Sequence, residues 1–354
     1  LAPPLAHIET TLFEPDTAQP SPAGEALTLL EAANRVQEVR AALRWLKQRH
    51  VLDGVPLSQL AVMAHDLEAY RPFLVETAAE FGLPLQMAQG TWLHQNPAIA
   101  ALLDLLSLPW RKWPRRLLLE AWRSPYFDWS NQAITAADAD LLAETAREGQ
   151  IIAGLDQWHE VLDRLAKAEP QADGEDVLEE MEETAVLTTP RGPEAAALRR
   201  KLDKFVARLR PESQATLRHY IGWLEALLGD DPALVPPRQP WQLGDSLGVV
   251  SQARRGPDGR PLPTAERDVA ALQRLKDVLR SLVFAEETLG KDRPITYRHF
   301  WQELRGAVEA AIYHVPPPEG QEPLLAAPVL AARGLSFHAV ALLGLGEGEF
   351  PRPL

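Results

Sequence analysis

Residues 324–351, LLAAPVLAARGLSFHAVALLGLGEGEFP, decide the fold class of this chain. The stretch contains two short apolar runs, 324–330 and 339–345, separated by a glycine-containing turn and followed by a glycine-rich acidic turn. Short apolar runs bounded by glycine are typical of parallel strands that are buried on both faces. Polar turns at strand ends are where nucleotide-handling residues sit in open α/β sheets. The stretch therefore predicts two core strands and one half of a site.

A second strand with a polar exit lies far upstream. Residues 60–64 (LAVMA) are apolar, His65 follows them, and an amphipathic helix with apolar residues at three- and four-residue spacing continues to Gly82, which ends it. Residues 83–87 predict another strand. Because buried strands need neighbours and two strands do not form a stable sheet alone, we expect the C-terminal strands to join this N-terminal one.

The rest of the chain divides by its pattern. Residues 1–24 are rich in proline and lack periodicity, which predicts a linker, and residues 26–30 favour a first strand. After residue 130 the strand signals fade and long amphipathic helices dominate. We therefore expect an α/β domain in two parts, 25–130 and 322–354, interrupted by a mostly α-helical insertion over 131–321.

The composition excludes several classes of protein. No apolar run in the 354 residues approaches the roughly 18 residues that a membrane helix requires, and the sequence shows no secretory leader pattern. We therefore expect a cytoplasmic protein without membrane contact. The chain has no cysteine, which excludes disulfides and thiolate-bound metals. None of its nine histidines has helical metal-ligand spacing, so we predict no metal site. A net charge of −13 means that any contact with DNA must be local.

Three ordered segments resemble one protein family. Arg-Gly-Leu-x-Phe at 333–337, the apolar run after it and Gly-Leu-x-Glu-Gly-x-Phe-Pro at 344–351 are similar to the motif V region of UvrD-like superfamily 1 helicases and their AddB and RecC relatives. The strand, helix and Gly-Leu-Pro of residues 60–84 resemble motif IV. Ser-Pro-Tyr-Phe at 124–127 is similar to a signature of AddB-type proteins. The resemblance implies a RecA-like parallel sheet, the 2A domain, split by a helical 2B insertion.

The resemblance also implies which residues face a nucleotide. Active motors place an arginine at the exit of the motif IV strand, where this chain has His65. Arg333 and Gly334 match the Lys-Gly step of motif V, but the preceding Thr-x-His is Pro-Val-Leu at 328–330, and Ser336 stands where a glutamate is expected. His65, Arg333 and Gly334 are thus candidate nucleotide-binding residues in a domain that has lost nucleotide turnover.

The chain contains no G-x-x-x-x-G-K-[ST] loop, so we expect it not to hydrolyse ATP by itself. The resemblance assigns ATP and Mg²⁺ to a preceding motor domain of a longer parent protein, which would also carry a nuclease domain and bind an AddA-like partner subunit. The predicted role is a DNA channel and scaffold within an AddB-like helicase-nuclease that processes DNA ends in recombination and repair. Two alternatives stay open: the second motor half of an active UvrD-like helicase, and a non-catalytic protein-interaction module.

Two further segments match the pattern of a functional motif. Residues 110–116 (WRKWPRR) interleave two indoles with four cations, a pattern that favours stacking and phosphate contacts with single-stranded DNA. The candidate DNA-binding residues are Trp110, Arg111, Lys112, Trp113, Arg115 and Arg116. The other interpretation is a polar loop whose tryptophans anchor a packed interface. Residues 244–248 satisfy G-x-S-x-G, but no core strand leads into Ser246, so we do not expect it to be a nucleophile.

Overall fold

Strands and helices alternate at the two ends of the chain, and helices dominate between them. The computed structural model describes residues 2–12, 19–169, 189–229, 246–253, 262, 264–290, 293–316, 320, 322–346 and 349. Its strands are β1 (Leu60–Ala64), β2 (Leu85–Met87), β3 (Thr91–Trp92), β4 (Gln214–Ala215), β5 (Ile295–Thr296), β6 (Ile312–Tyr313), β7 (Leu324–Pro328) and β8 (Ala339–Leu343). Its α-helices are α1 (Pro3–Thr11), α2 (Arg35–Asp53), α3 (Arg71–Phe81), α4 (Pro97–Ser107), α5 (Arg115–Arg123), α6 (Ala136–Glu148), α7 (Leu155–Lys167), α8 (Pro193–Leu209), α9 (Leu217–Leu228), α10 (Val249–Ala253), α11 (Ala265–Leu289) and α12 (Tyr297–Ala310).

The two ends of the chain meet in one parallel sheet, which confirms the predicted α/β fold class. The strand order is β2-β7-β1-β8, so β1 lies between the two C-terminal strands. Ala64, the last residue of β1, is in register with Pro328 on one side and Leu343 on the other. Because all the strands are parallel, the carboxyl ends of β1, β7 and β8 lie at the same edge of the sheet.

One face of the sheet is covered by α2 and α3. Leu43 and Leu46 of α2 and Leu74 of α3 are fully buried in the cluster that includes Val62 of β1. Each buried leucine stabilises the fold by about 1.5–3 kcal/mol relative to an exposed one. Gly82 ends α3 at φ 65°, a left-handed conformation that glycine adopts without strain, as the sequence predicts.

The expectation of strands buried on both faces is met by β1 but not by β8. All five residues of β1 are buried. In β8, Ala341 and Leu343 face the core, whereas Val340 and Leu342 remain 36% and 49% exposed. The reason is that β8 lies at an edge of the sheet, and among the described residues little covers the outer side chains of that strand.

The middle of the chain forms a separate helical unit. Its core includes Trp113, Trp122 and Trp129, all of which pack edge-on around Phe205 of α8 at ring-centroid distances of 6.2, 5.7 and 5.0 Å. Such edge-to-face contacts are the arrangement that ring quadrupoles favour. Two short antiparallel pairs, β3 with β6 and β4 with β5, complete this unit. The predicted mostly helical insertion is therefore present.

The contacts divide the chain at different points from those that we predicted. The α/β unit comprises Leu1–Gln89 and Pro316–Leu354, and the helical unit comprises Gly90–Val315. Residues 90–130, which we assigned to the α/β part, lie in the helical unit because the apolar faces of α4 and α5 are buried in its core. Their amphipathic pattern alone does not show which core they enter.

The expected linker contains more regular structure than predicted, and the expected first strand is absent. Within residues 1–24, α1 forms a helix of nine residues, none of which is buried. Residues 27–30 form no strand, and Leu29 is 92% exposed. Apolar residues alone do not make a strand when no neighbouring strand pairs with them. None of the described helices combines the length and apolar character needed to cross a bilayer.

Candidate site at the carboxyl edge of the sheet

A small polar cavity lies where β1 and β8 end. His65 follows β1 and Gly344 follows β8, so the register of the two strands brings these residues to the same edge. The cavity has a volume of about 120 Å³. Its lining residues come from four segments of the α/β unit: Arg35, His65, Asp66, Ala69, Tyr70, Leu343, Gly344 and Glu349. This is the edge at which ligands bind in open α/β sheets.

Helix starts position several of these side chains. Asn34 caps α2 by accepting a hydrogen bond from the backbone N–H of Gln37 at 3.0 Å, which fixes Arg35 and Glu38 in the first turn. Tyr70 stands immediately before α3 and is only 2% exposed. Both helix starts therefore point polar groups towards the edge where β1 and β8 end.

A chain of hydrogen bonds joins these groups. The Tyr70 hydroxyl lies 3.0 Å from Glu38 Oε2 and 3.0 Å from Glu349 Oε2. Glu38 also accepts a 2.7 Å hydrogen bond from the backbone N–H of Gly344, and Arg35 donates to Glu349 at 2.5 Å. Because a phenol carries one hydrogen, Tyr70 donates to only one of the two carboxylates at a time.

The electrostatics of the site follow from these contacts. Burial raises the pKa of Tyr70, and its hydrogen bonds to Glu38 and Glu349 raise that pKa further, so Tyr70 is a neutral donor at neutral pH. The hydrogen bonds from Arg35 and Tyr70 lower the pKa of Glu349, so its carboxyl group is ionised there. The guanidinium of Arg35 is consequently paired with a carboxylate within the protein.

Gly344 is required by the geometry of this site. Its φ is +73°, and a Cβ built on it would lie 3.0 Å from Glu349 Oε2 and 3.2 Å from the Tyr70 hydroxyl. A side chain there would strain the backbone and displace the carboxylate. The glycine thus allows the chain to turn closely over Tyr70 at the end of β8.

The cavity does not fit a nucleoside triphosphate. Its 120 Å³ lies well below the roughly 300–1,000 Å³ of pockets that enclose a ligand of that size. Glu349, which lines the cavity, is ionised and opposes the approach of a phosphate. Among the residues that the structure describes, no cluster of three or more histidine, aspartate or glutamate side chains is arranged to hold a metal ion. The described residues of this cavity are therefore too closely spaced to enclose a nucleoside triphosphate by themselves.

Of the residues predicted to contact a nucleotide, only His65 lines this cavity. Arg333 and Gly334 lie in the connection between β7 and β8, where both are exposed, and they are not part of the lining. Gly334 has φ +83°, which explains glycine in that turn without a ligand. Sequence reasoning missed Arg35, Glu38, Tyr70 and Glu349. The only signals for them were their positions at helix starts and in the acidic turn after β8.

The predicted DNA-binding cluster does not present its indoles to solvent. Trp113 is 5% exposed, and its backbone carbonyl accepts a hydrogen bond from the indole of Trp158 at 3.3 Å. Trp110 is half-buried and packs on Trp301, with ring centroids 5.0 Å apart. Lys112 and Trp113 adopt left-handed backbone conformations, at φ 62° and 56°, which turn the second indole into the core. Trp113 is therefore not available to stack on a base.

The four cations of that cluster remain at or near the surface. Arg111 and Arg298 lie over the ring of Trp110, at 5.6 and 5.3 Å from its centroid. Lys112 is exposed, and Arg116 pairs with Glu120 at 2.7 Å. Arg115 begins α5 and is half-buried. The structure thus separates the cations of the predicted cluster from its buried indole.

Ser246 is a structural residue in the part of the chain that the structure describes. It is 4% exposed, its hydroxyl donates to the carbonyl of Leu228 at 2.7 Å, and it accepts from the N–H of Gly248 at 3.0 Å. Residues 244 and 245 lie outside the described residues. A serine whose hydroxyl is buried and bonded in this way is not an exposed nucleophile.

Comparisons with known proteins identify two similar chains. The first, from Symbiobacterium thermophilum, is described as the B-type subunit of an ATP-dependent helicase/deoxyribonuclease and is 26% identical over 355 residues, which cover 99% of this chain and 28% of that protein. The second, from Moorella thermoacetica, has the same description and is 24% identical over 364 residues, which cover 100% of this chain and 28% of that protein. The chain thus spans little more than a quarter of the length of these curated relatives. No family model matches it.

Proposed function

We propose that this chain, which is distantly similar to the B-type subunits of ATP-dependent helicase/deoxyribonucleases, forms part of a longer AddB-like protein that processes DNA ends in recombination and repair. In that protein the α/β unit serves as a motor-like domain of the 2A type, which helps to form a DNA channel and supports other domains. ATP and Mg²⁺ are used by a preceding motor domain. Its partners are DNA, that motor domain, a nuclease domain and an AddA-like protein, in the cytoplasm.

The observation that supports a scaffold role over a motor role is the chemistry of the carboxyl-edge cavity. A domain that takes part in ATP hydrolysis needs free cations for the phosphates. Here Arg35 is paired with Glu349, and Glu38 faces the same hydroxyl as Glu349. His65 stands where the resemblance to active motors places an arginine, and it lacks the fixed charge and the fork of donors of a guanidinium.

A nucleotide titration tests the degenerate site. We expect the 354-residue chain to show no saturable binding of a fluorescent ATP analogue with Mg²⁺ at concentrations up to about 1 mM, which corresponds to a binding free energy weaker than about −4 kcal/mol. The Glu38→Gln and Glu349→Gln double variant removes two negative charges at nearly constant shape and releases Arg35, so it should bind more tightly than the wild type.

Glu80→Gln is the matched control for that titration. Glu80 pairs with Arg40 at the surface and does not line the cavity, so its neutralisation should leave nucleotide binding unchanged. Saturable binding by the wild-type chain with a dissociation constant below about 100 μM would contradict the degenerate site and favour an active motor half.

A DNA titration tests the channel role separately. We expect the 354-residue chain to bind a tailed DNA duplex at low salt, measured by fluorescence anisotropy. The affinity for DNA should fall only slightly as the salt concentration is raised, because a chain of net charge −13 makes few phosphate contacts. Absence of any affinity for tailed duplex at low salt would favour a protein-interaction module instead.

A further inference from the structure

A groove of about 940 Å³ lies beside α5 in the helical unit. The segments around it are tied together by backbone hydrogen bonds. The N–H of Arg115 donates to the carbonyl of Ile152 at 2.9 Å, and the N–H of Gly154 donates to the carbonyl of Lys112 at 2.7 Å. Because both walls are held by main-chain bonds, the groove is a built feature of the fold.

Most of the groove surface is aliphatic. Leu119 and Ile151 are buried and form its floor, and Pro114 and Pro125 belong to the same lining. Ile152 lines the same groove and is 79% exposed. A large exposed aliphatic side chain beside a concave apolar surface is a common mark of a site where another molecule docks.

Three arginines of α5 belong to the lining of the groove. Arg115, Arg116 and Arg123 line the groove, whereas Glu120 is the one acidic residue among its lining. Arg116 pairs with Glu120 at 2.7 Å, and Arg123 pairs with an aspartate outside the lining at 2.7 Å. Both pairs are exposed to solvent, where an ion pair contributes only about 0–1 kcal/mol, so a ligand carboxylate can replace either acid.

Arg115 differs from the other two arginines. Between the described residues, no ion pair or side-chain hydrogen bond involves its guanidinium, although it is half-buried at the start of α5. A partly desolvated guanidinium without a carboxylate is a ready partner for an anion, and its planar fork matches a carboxylate with two parallel bonds. It lines the groove next to Pro114 in the sequence.

The lining favours a peptide over single-stranded DNA. Bases stack on flat aromatic faces, and Tyr126 is the one aromatic residue of the lining. The indole of Trp113 is buried in the core, and Glu120 would oppose a passing phosphate. An aliphatic floor flanked by cations instead complements an apolar side chain that has carboxylates next to it in sequence.

We propose that this groove binds a short peptide segment of a partner protein in which one or two bulky apolar residues are flanked by aspartate or glutamate. The apolar side chain fills the floor between Leu119 and Ile152. One carboxylate pairs with Arg115, and another replaces Glu120 as the partner of Arg116. The site is independent of the carboxyl-edge cavity, so the proposal does not depend on the proposed function.

A peptide selection tests the groove. A phage-displayed library of random 12-residue peptides is selected against the 354-residue chain, and the best binder is synthesised with a fluorescent label and titrated by anisotropy. We expect the selected sequences to share an apolar residue flanked by acids. Arg115→Glu and Ile152→Asp should each weaken binding by about tenfold or more, because the first reverses the charge of the free guanidinium and the second places a carboxylate in the aliphatic lining.

Arg200→Glu is the matched control, because Arg200 is exposed on α8, belongs to the same unit and does not line the groove. Its effect should stay within about twofold. Ile152 is exposed and Arg115 has no acidic partner among the described residues, so both variants should melt at the wild-type temperature.

Three results would overturn the proposal. The first is that no peptide is enriched over uncoated support. The second is that the enriched peptides bind Arg115→Glu and Ile152→Asp as tightly as the wild type. The third is that a 12-nucleotide oligothymidylate displaces the peptide and that its own binding is weakened by Arg115→Glu and by Ile152→Asp. That result would make the groove a nucleic-acid site. None of these results bears on the nucleotide titration, which depends on Glu38 and Glu349.

Discussion

Replacement of Tyr70 by phenylalanine removes the hydroxyl that links the two carboxylates of the carboxyl-edge cavity. Tyr70 is 2% exposed, and its hydroxyl lies 3.0 Å from both Glu38 and Glu349. The ring remains in place, so the change deletes hydrogen bonding without opening a cavity larger than one oxygen atom. We expect Tyr70→Phe to destabilise the α/β unit.

The magnitude follows from the single hydrogen of the phenol. A hydrogen bond to a charged group contributes about 1.5–3 kcal/mol, and Tyr70 makes one such bond at any time. The Glu349 side chain is 40% exposed, so its carboxylate regains water when the hydroxyl is lost. The expected loss in the free energy of unfolding is therefore at the low end of the range, about 1.5 kcal/mol.

The assay must report on the α/β unit alone. Trp45 of α2 is the single tryptophan in Leu1–Gln89 and Pro316–Leu354. In protein labelled with 5-fluorotryptophan, its fluorine resonance is assigned by its absence from a Trp45→Phe variant. The intensity of that resonance in a urea titration gives the free energy of unfolding of this unit for wild type and Tyr70→Phe.

A double-mutant cycle with Glu349→Gln decides whether the hydroxyl acts through the carboxylate. If it does, Tyr70→Phe should cost less in the Glu349→Gln background, with a coupling of about 0.5–1 kcal/mol. Tyr126→Phe, in the other unit, should leave the Trp45 transition unchanged. A change below about 0.3 kcal/mol on Tyr70→Phe would refute the described network, whereas a full loss without coupling to Glu349 would show that the hydroxyl donates to Glu38.

Three further predictions concern acid stability, the turn after β8 and the helical unit. The hydrogen bonds from Arg35 and Tyr70 lower the pKa of Glu349 below its usual 4.5. The ionised carboxylate therefore stabilises the fold above that pH, and this stabilisation is lost as the pH falls through the folded-state pKa. Glu349→Gln should flatten the pH dependence of the urea midpoint in that acid range. Gly344→Ala should destabilise the α/β unit by about 1–2 kcal/mol in the Trp45 assay, because φ is +73° and the new Cβ meets Glu349. Asp268→Ala should destabilise the helical unit by about 3 kcal/mol in urea unfolding followed by circular dichroism, because the buried carboxylate accepts from Asn96 at 2.8 Å and pairs with Arg267.

Each of these predictions has a control within the chain. A Glu349→Gln profile as steep as that of the wild type would show that this carboxylate does not link folding to pH. Gly346→Ala should be nearly neutral, because a Cβ there meets no atom of the described residues within 4 Å and Gly346 is not among the glycines with positive φ. An equal effect at both glycines would contradict the steric reasoning. Asp277→Ala, in an exposed ion pair on α11, should change stability by less than about 0.5 kcal/mol.

Elements with a strong local signal were predictable from the sequence. Residues 60–64 are all apolar, and the structure buries every one of them in β1. Gly82 ends α3, and Asn96 caps α4 by accepting hydrogen bonds from two backbone N–H groups. Both caps could be predicted because a cap depends on only a few neighbouring residues. Residues 26–30 show the limit of such signals. Their leucines favour a strand by composition, but pairing decides whether a strand forms.

The candidate site was only partly predictable. His65 was recognisable because it follows a buried strand. Arg35 and Glu349, which form an ion pair, are 314 positions apart, and no local pattern indicates that contact. The stretch around Trp113 has the same composition whether it binds DNA or packs in a core, and the left-handed backbone at Lys112 and Trp113 places the indole in the core.

The sequence by itself determined the core strand of residues 60–64, the long amphipathic helices, and that the apolar runs at the two ends of the chain share one sheet. The reason is that hydrophobic periodicity and capping depend on residues within a few positions of one another, and a fully apolar strand requires neighbours on both sides. Only the tertiary structure decided that Glu38, Tyr70 and Glu349 meet at the sheet edge and that three arginines of α5 line an aliphatic groove. Such contacts join residues distant in sequence, and they depend on how helices pack on one another and on the sheet, which periodicity does not specify.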